Sequence, residues 1–328
     1  MKKSLINILK IVIPFGIGVY LTWFFISSMT EDELKSLKDS FLKADYIYLF
    51  YGLIIMLLSH MSRAYRWKYM LEPLGHKPRF WKMYHSVMIG YLINLTIPRS
   101  GEFARAGYYA KYQENTKFDK VFGTIIVERI IDLLMLGIVL GITLYLQKDL
   151  ETFNEIYDSG KSDSSIPVWI YFIVVGVFIV GFITVIKTPI LKEKIINLLK
   201  GILEGVKTIF KLKQRTAYIA HTLFIWVCYV VMIWVCSFAL PESSNLSINA
   251  VFAAFVVGAV AISAAPGGLG LYPVMVAAVL SKLYGIENAG SFSMLAWSAL
   301  TFFTIIAGLI SLFILPFIGN KTSEQNVV

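Results

Sequence analysis

The sequence predicts an all-α polytopic membrane protein, with about six transmembrane helices and two oppositely oriented re-entrant segments arranged as an inverted repeat. Three observations predict it. Hydrophobic residues make up 57% of the 328 and charged residues only 16%, with a mean hydropathy of +0.69, a balance that water-soluble domains do not have. Apolar runs of spanning length recur along the chain, separated by charged connections whose sign alternates. Two further runs are interrupted by proline and glycine, at Ile97–Arg105 and at Ala265–Pro273.

The elements follow in order. Lys2, Lys3 and Lys10 precede an apolar run to about Ile26; no small-x-small cleavage pattern follows in Ile26–Glu33, so this reads as a retained first helix. Thr30–Asp45 reads as a polar loop with an acidic excess, and Tyr46–Met61 as the body of a second span. Arg63, Arg66, Lys68, Lys77, Arg79 and Lys82, opposed by Glu72, then form a basic connection that belongs on the cytoplasmic side. Tyr84–Thr96 is short for a span and runs into Pro98, Arg99, Gly101, Glu102 and Arg105. A mixed segment, Glu102–Lys120, leads to a long span, Val121–Leu146, that carries Glu128, Arg129 and Asp132.

Residues 147–166 hold an acidic excess and belong outside; Pro167–Ile186 spans back. Lys187–Arg215 is rich in lysine and belongs inside. Within it, residues 188–214 alternate apolar and basic positions at helical spacing, the pattern of an amphipathic helix on the inner leaflet. Ala217–Leu240 crosses outward. Ile248–Ala265 is apolar and rich in small residues, which permits close packing. The second break holds Pro266, Gly267, Gly268, Gly270 and Pro273, and is followed by Val274–Ile286, a last span Phe292–Phe317 and a polar tail with Lys321.

Charge distribution tests the topology. If Tyr84–Thr96 were a full crossing in a chain of eight plain crossings, the lysine-rich segment would fall outside. If that run enters from the cytoplasm and returns, most of the 30 Lys and Arg lie inside and both acidic loops lie outside. On this second reading residues 1–146 and 167–317 are half-repeats of opposite orientation within one transmembrane domain, residues 1–328, and both termini are cytoplasmic. Inverted repeats with discontinuous helices build transporter sites near the bilayer midplane.

The site residues follow from depth. Charged residues at a helix break within a bilayer are tolerated where protein or a water-filled cavity surrounds them. Arg99, Arg105 and Arg129 balance Glu102, Glu128 and Asp132, and the arginines offer forked donors to a phosphate. Glu128 and Asp132, four apart on one helix face, would position those arginines, bind a cationic headgroup or carry a proton. The alternative is an ion-pair network that pins the re-entrant segment. Gly267, Gly268 and Gly270 expose backbone to a substrate or serve as a hinge. The net charge of +9 is accounted for by cytoplasmic loops, with no nucleic-acid partner implied. His60, His76, His85 and His221 show no metal-ligand spacing, and Cys228 and Cys236 read as buried helix packing. No metal and no cofactor is expected. Trp67, Trp81, Trp169 and Trp297 read as interfacial anchors or lipid-facing packing.

P-R-S-G-E-F-A-R at 98–105, V-E-R-I-I-D at 127–132 and P-G-G-L-G at 266–270, in this order, resemble the flippase-like family that includes the membrane domain of lysylphosphatidylglycerol synthase/flippase. The resemblance covers nearly the whole chain. It implies a bacterial or archaeal plasma-membrane protein that moves, or helps move, a phospholipid or polyprenyl-phosphate-linked lipid between leaflets. The bifunctional members add a large soluble aminoacyl-transferase domain, whereas this sequence ends shortly after its last predicted helix, so synthase activity does not follow. Members commonly place an acidic residue after the glycine-rich break, where this sequence has Tyr272-Pro273. Three functions are consistent with these residues: a lipid flippase or scramblase that is not an enzyme; a membrane-embedded transferase or hydrolase on lipid phosphates, for which three arginines beside Glu102, Glu128 and Asp132 argue against a bound Mg²⁺; and an accessory subunit of a cell-envelope enzyme. A homo-oligomer is compatible with all three.

Overall fold

The computed structural model describes residues 19–147 and 210–320, apart from residues 21, 25, 28, 29, 76, 98, 114 and 115. The expectations for residues 1–18, for Pro98, for the loop, span and amphipathic helix between 148 and 209, and for the tail at Lys321 lie outside the described residues. The chain divides into two compact units, Met1–Ile126 with Leu212–Val328, and Val127–Lys211.

Among the described residues there are helices and turns and no strand. In the first unit α1 is Glu31–Lys43, α2 Tyr46–Leu71, α3 Phe80–Asn94 and α4 Gly101–Tyr112. Helix α5, Phe118–Gln147, begins in the first unit and runs on into the second. The first unit then continues with α6 Arg215–Ser237, α7 Ile248–Ala264, α8 Leu271–Tyr284 and α9 Ala289–Asn320. Three segments are long and apolar enough to cross a membrane among the described residues: Tyr46–Leu74, Arg215–Ser237 and Ala289–Ile318. Shorter apolar helices, α7 and α8, complete a polytopic helical protein.

Local chemistry sets the helix ends. The Asp45 carboxylate accepts the Ile47 N–H at the start of α2, and the Asp45 N–H donates to Ala239 O, which ties that start to the end of α6. Ser247 caps α7 through the Ala250 N–H. Left-handed Gly285 closes α8, its N–H reaching Leu280 O and Ser281 O. Helices α2 and α6 lie antiparallel: Gly52 faces Met232 and Cys236, while Arg66 reaches back to Thr222.

Both interrupted runs fold into helical hairpins. Along the first, Asn94 meets Gly101, Gly90 meets Arg105, and Lys82 Nζ donates to Tyr112 O at 2.6 Å, so partners retreat along α3 as they advance along α4. Along the second, Ile262 meets Gly268, Gly258 meets the Tyr272 ring, and Tyr284 OH donates to Asn249 O at 3.1 Å. Helices α7 and α8 are therefore antiparallel as well. The tips of the two hairpins touch. Leu95 packs on Gly267, so closely that a side chain there would overlap Leu95; its Cβ would stand 3.7 Å from Leu95 Cα. With φ at +57°, position 267 admits little but glycine for a second reason. Helix α9 runs antiparallel to α3, with Leu92 against Gly308 and His85 Nδ1 bonded to Ser311 Oγ at 2.9 Å.

Several expectations change. Thr30–Asp45 is not a loop: α1 buries Leu37 and Ser40, while Glu31 at its start and Lys43 at its end match the helix dipole. Helix α2 does not end near Met61 but runs to Leu71, which takes Arg63 and Arg66 out of the basic connection and into the interior, 3% and 0% exposed. The mixed segment after Gly101 is α4 and the first turn of α5. Pro273 lies in the first turn of α8, where a missing N–H costs nothing, while Pro266 opens the 3-10 turn at the break. Cys228 and Cys236 are both buried with free thiols.

Gly101 faces the backbone of Gly90, whereas Gly107 on the same helix has open space around it. Gly101→Ala is expected to lower stability by about 1–3 kcal/mol through overpacking, and Gly107→Ala to raise it by about 0.5–1 kcal/mol. Thermal unfolding of the two variants in detergent checks this; equal effects would contradict the hairpin contact.

Candidate functional site

The first break supplies a compact set of side chains. Helix α4 starts at Gly101, whose N–H donates to Asn94 Oδ1 at 2.7 Å, so the last residue of α3 satisfies the first orphan donor of α4. Arg99, in the turn, is exposed and holds φ at +58°, a conformation that costs an L-residue roughly 1–2 kcal/mol. Glu102, Arg105 and Tyr109 follow at three- and four-residue spacing on the face of α4 that packs inward.

Arg105 is 4% exposed and is held from below. Its guanidinium carbon lies 3.9 Å from the centroid of the Trp67 ring, and Trp67 is fully buried. The indole is itself fixed: its N–H donates to Thr124 Oγ1 at 2.9 Å, and the Thr124 hydroxyl donates to Val121 O at 2.7 Å. The Tyr109 ring packs on Trp67 with centroids 4.9 Å apart. A desolvated guanidinium over an indole is stabilised by about 2 kcal/mol. The stack leaves the guanidinium edge, which carries the donors, to face its partners.

A second polar row lines the contact between α2 and α6. Arg66 Nη1 donates to Thr222 Oγ1 at 3.0 Å and its guanidinium lies 5.3 Å from the Tyr218 ring centroid. Arg63 Nη2 donates to Tyr229 OH at 3.1 Å, and Ser62 Oγ is bonded to His221 Nδ1 at 2.8 Å. At the second break, Gly267 O accepts the Trp297 indole N–H from α9 at 2.9 Å. Gly267, Gly268 and Gly270 all hold positive φ, which matches the expected freedom of that turn.

In the other unit, Arg129 bridges two carboxylates. Its Nη2 lies 3.1 Å from Glu128 Oε1 and 3.1 Å from Asp132 Oδ2, and Glu128 is 1% exposed. Within α5 the three charges form one network, in which the one arginine bridges both acids. Among the described residues no group of three or more His, Cys, Asp or Glu stands close enough to hold a metal ion.

The expected residues thus appear as two groups, Arg99 with Glu102 and Arg105 on the first hairpin, and Glu128 with Arg129 and Asp132 on α5. Trp67, Tyr109, Asn94, Leu95 and Trp297 were not read as part of a site. Two tryptophans assigned to interfacial or lipid-facing roles instead support the breaks. Arg63 and Arg66 were legible as anomalies only in one respect: three-residue spacing continues the α2 helical pattern past Met61.

A family model described as the lysylphosphatidylglycerol synthase TM region matches residues 10–308. Among curated proteins, the UPF0104 membrane protein MJ1595 of Methanocaldococcus jannaschii is 32% identical over 88 residues, 26% of this chain and 26% of that protein. The match therefore spans about a quarter of the relative's length. No solved structure matches the chain.

The Arg129 network orders its two acids by burial, 1% exposed for Glu128 and 13% for Asp132. Glu128→Gln is expected to cost about 1–3 kcal/mol and Asp132→Asn less, because a hydrogen bond to a charge is worth most where water cannot replace it. Melting temperatures of the two variants in one detergent decide; a larger loss in Asp132→Asn would contradict the assignment.

Proposed function

The chain belongs to the lysylphosphatidylglycerol synthase TM-region family, and from that premise we propose that it is a flippase- or scramblase-like transporter of an anionic phospholipid or polyprenyl-phosphate-linked lipid. The observation that carries this reading is the tip-to-tip meeting of two broken hairpins, Leu95 against Gly267, with buried Arg105 one turn into α4. Helices α3 and α7 have 15 and 17 residues, about 22 and 25 Å at ~1.5 Å per residue, short of a hydrocarbon core of about 30 Å. Each hairpin is therefore the right length to enter the bilayer, pass its middle and return.

In the proposed topology six helices span, the two hairpins are re-entrant from opposite faces, and the halves 1–146 and 167–317 form an inverted repeat. Three features support it: α2 and α6, the second spans of the two halves, are antiparallel; each is followed by a hairpin broken at proline and glycine; and α9 takes the place in the second half that α5 takes in the first. The bacterial or archaeal plasma membrane, cytoplasmic termini and a helix at 188–214 on the inner leaflet complete the proposal.

The transport cycle needs no bond to be made or broken. Arg99, exposed at the turn, meets a phosphate first; Arg105, held over the Trp67 ring, receives it at depth. Glu102, on the same hairpin, lowers the net charge of the two arginines when the site is empty, which offsets part of the roughly 2.5–3.5 kcal/mol that a charge costs at a helix centre on insertion scales. The glycines at 267, 268 and 270 let the second tip move away from Leu95.

The test is lipid movement in proteoliposomes. Single replacements Arg99→Ala and Arg105→Ala, compared at matched folded yield, are expected to slow it about tenfold or more as a hydrogen bond to phosphate is lost. Undiminished movement in both would sink the site, and no movement by the wild type would favour a subunit role beside a cell-envelope enzyme.

A further inference from the structure

Helix α9 donates to the second break twice, from side chains one turn apart. The Trp297 indole N–H reaches Gly267 O at 2.9 Å, and the Ser293 hydroxyl, fully buried, lies 3.0 Å from Pro273 O. These two acceptors flank the turn that carries the left-handed glycines 267, 268 and 270. Gly267 is also the residue on which Leu95 of the first tip packs. One residue therefore bears both the contact between the hairpins and the bond to α9.

The chemistry of the two donors suits a bond that is made and broken. A serine hydroxyl has one proton, and Ser293 has two acceptors for it: Gly290 O, one turn back on α9, is also 3.0 Å away. It can turn from α8 to its own helix and stay satisfied. The indole has a single N–H, so its bond to Gly267 O is kept or lost as the tip stays or leaves. Glycine at 267, 268 and 270 lets the backbone there rotate without carrying a side chain through its neighbours. Further along, α9 is joined to the first hairpin instead, through Gly308 against Leu92 and Ser311 bonded to His85. One helix thus holds both hairpins, and the second tip is held at its point of contact with the first.

From this arrangement we infer that Trp297 and Ser293 form a releasable latch, which holds the second tip closed against Leu95 and frees it when the indole bond breaks. The inference rests on the proposed transport reading only in taking a parting of the tips to be a step of the cycle. A carbonyl left without a donor in an apolar layer is costly. The closed arrangement is therefore the resting one, and the Trp297 bond sets how rarely the tips part. Loss of one hydrogen bond between neutral groups raises the open population about fivefold. The serine contributes less to closure, because its proton finds Gly290 O when the tip is away.

The experiment reads opening as thiol reactivity. In the full chain with Cys228 and Cys236 replaced by alanine, Leu95→Cys is shielded while the tips meet and reacts with a small maleimide when they part, so the rate follows the open population. In that background Trp297→Phe, which keeps a ring and removes the N–H, is expected to speed the reaction about fivefold. Ser293→Ala is expected to speed it by a smaller factor, and Trp81→Phe, at an exposed tryptophan of the first hairpin, to leave it unchanged. An unchanged rate in Trp297→Phe, whatever its melting temperature, would overturn the latch, as would an equal rise in Trp81→Phe. Should Trp297→Phe not fold, the rate of Ser293→Ala decides in the same sense. Lipid movement measured beside it separates the two proposals. A faster thiol reaction in Trp297→Phe with no lipid movement by the wild type upholds the latch while the transport reading falls; an unchanged reaction beside a wild type that moves lipid overturns the latch alone.

Discussion

Backbone polarity at the two helix breaks is the constraint on which the rest of this structure depends. A helix interrupted in an apolar layer exposes N–H and C=O groups that no water is present to satisfy, each at a cost of several kcal/mol. At the first break the turn bonds inward on itself, Leu95, Thr96 and Ile97 N–H groups reaching Leu92 and Ile93 carbonyls, and Asn94 covers the first donor of α4. At the second, Gly268 and Leu269 bond back to Ala265 and Pro266, and Trp297 covers Gly267 O. Asn94 comes from the first hairpin itself, whereas Trp297 comes from α9, which also lies along α3 through Gly308 and Ser311.

Buried charge imposes the second requirement, and the protein meets it by different means in different places. Arg105 is laid over an indole, Arg66 over a phenol ring and against a threonine, Arg63 against a tyrosine hydroxyl, and Arg129 between two carboxylates. The first three combine a hydrogen bond or a π face with firm orientation, so the guanidinium plane is set by packing before any ligand arrives. That is preorganisation in a physical sense: rotamer freedom is lost on folding rather than on binding. Arg99 differs, since it projects from a left-handed turn into the open.

Much of this architecture was legible in the sequence, and for identifiable reasons. Proline and glycine mark the breaks because few residues tolerate those backbone conformations, and Glu128 and Asp132 stand out because acids four apart in an apolar run are costly. The helical nature of Glu31–Lys43 was obscured by its charge, since polar composition suggested a loop while Leu37 and Ser40 quietly supplied a buried face. Arg63 and Arg66 were misread because a count of cations between spans ignores the fact that a helix can continue past its apolar body. Tryptophan was the least legible residue of all. Nothing local distinguishes Trp67, under Arg105, from Trp81, 55% exposed; the difference lies in what α4 and α5 bring to the far side of the ring.

The meeting of the hairpin tips carries both the fold and the proposed transport, and one measurement reaches both. A photoreactive benzoylphenylalanine in place of Leu95, whose side chain packs on Gly267, is expected on illumination of native membranes to attach to the second tip at residues 265–270, and the cross-linked protein is expected to move no lipid after reconstitution. A cross-link to that tip with lipid movement unchanged, or no cross-link between the tips, would contradict the account.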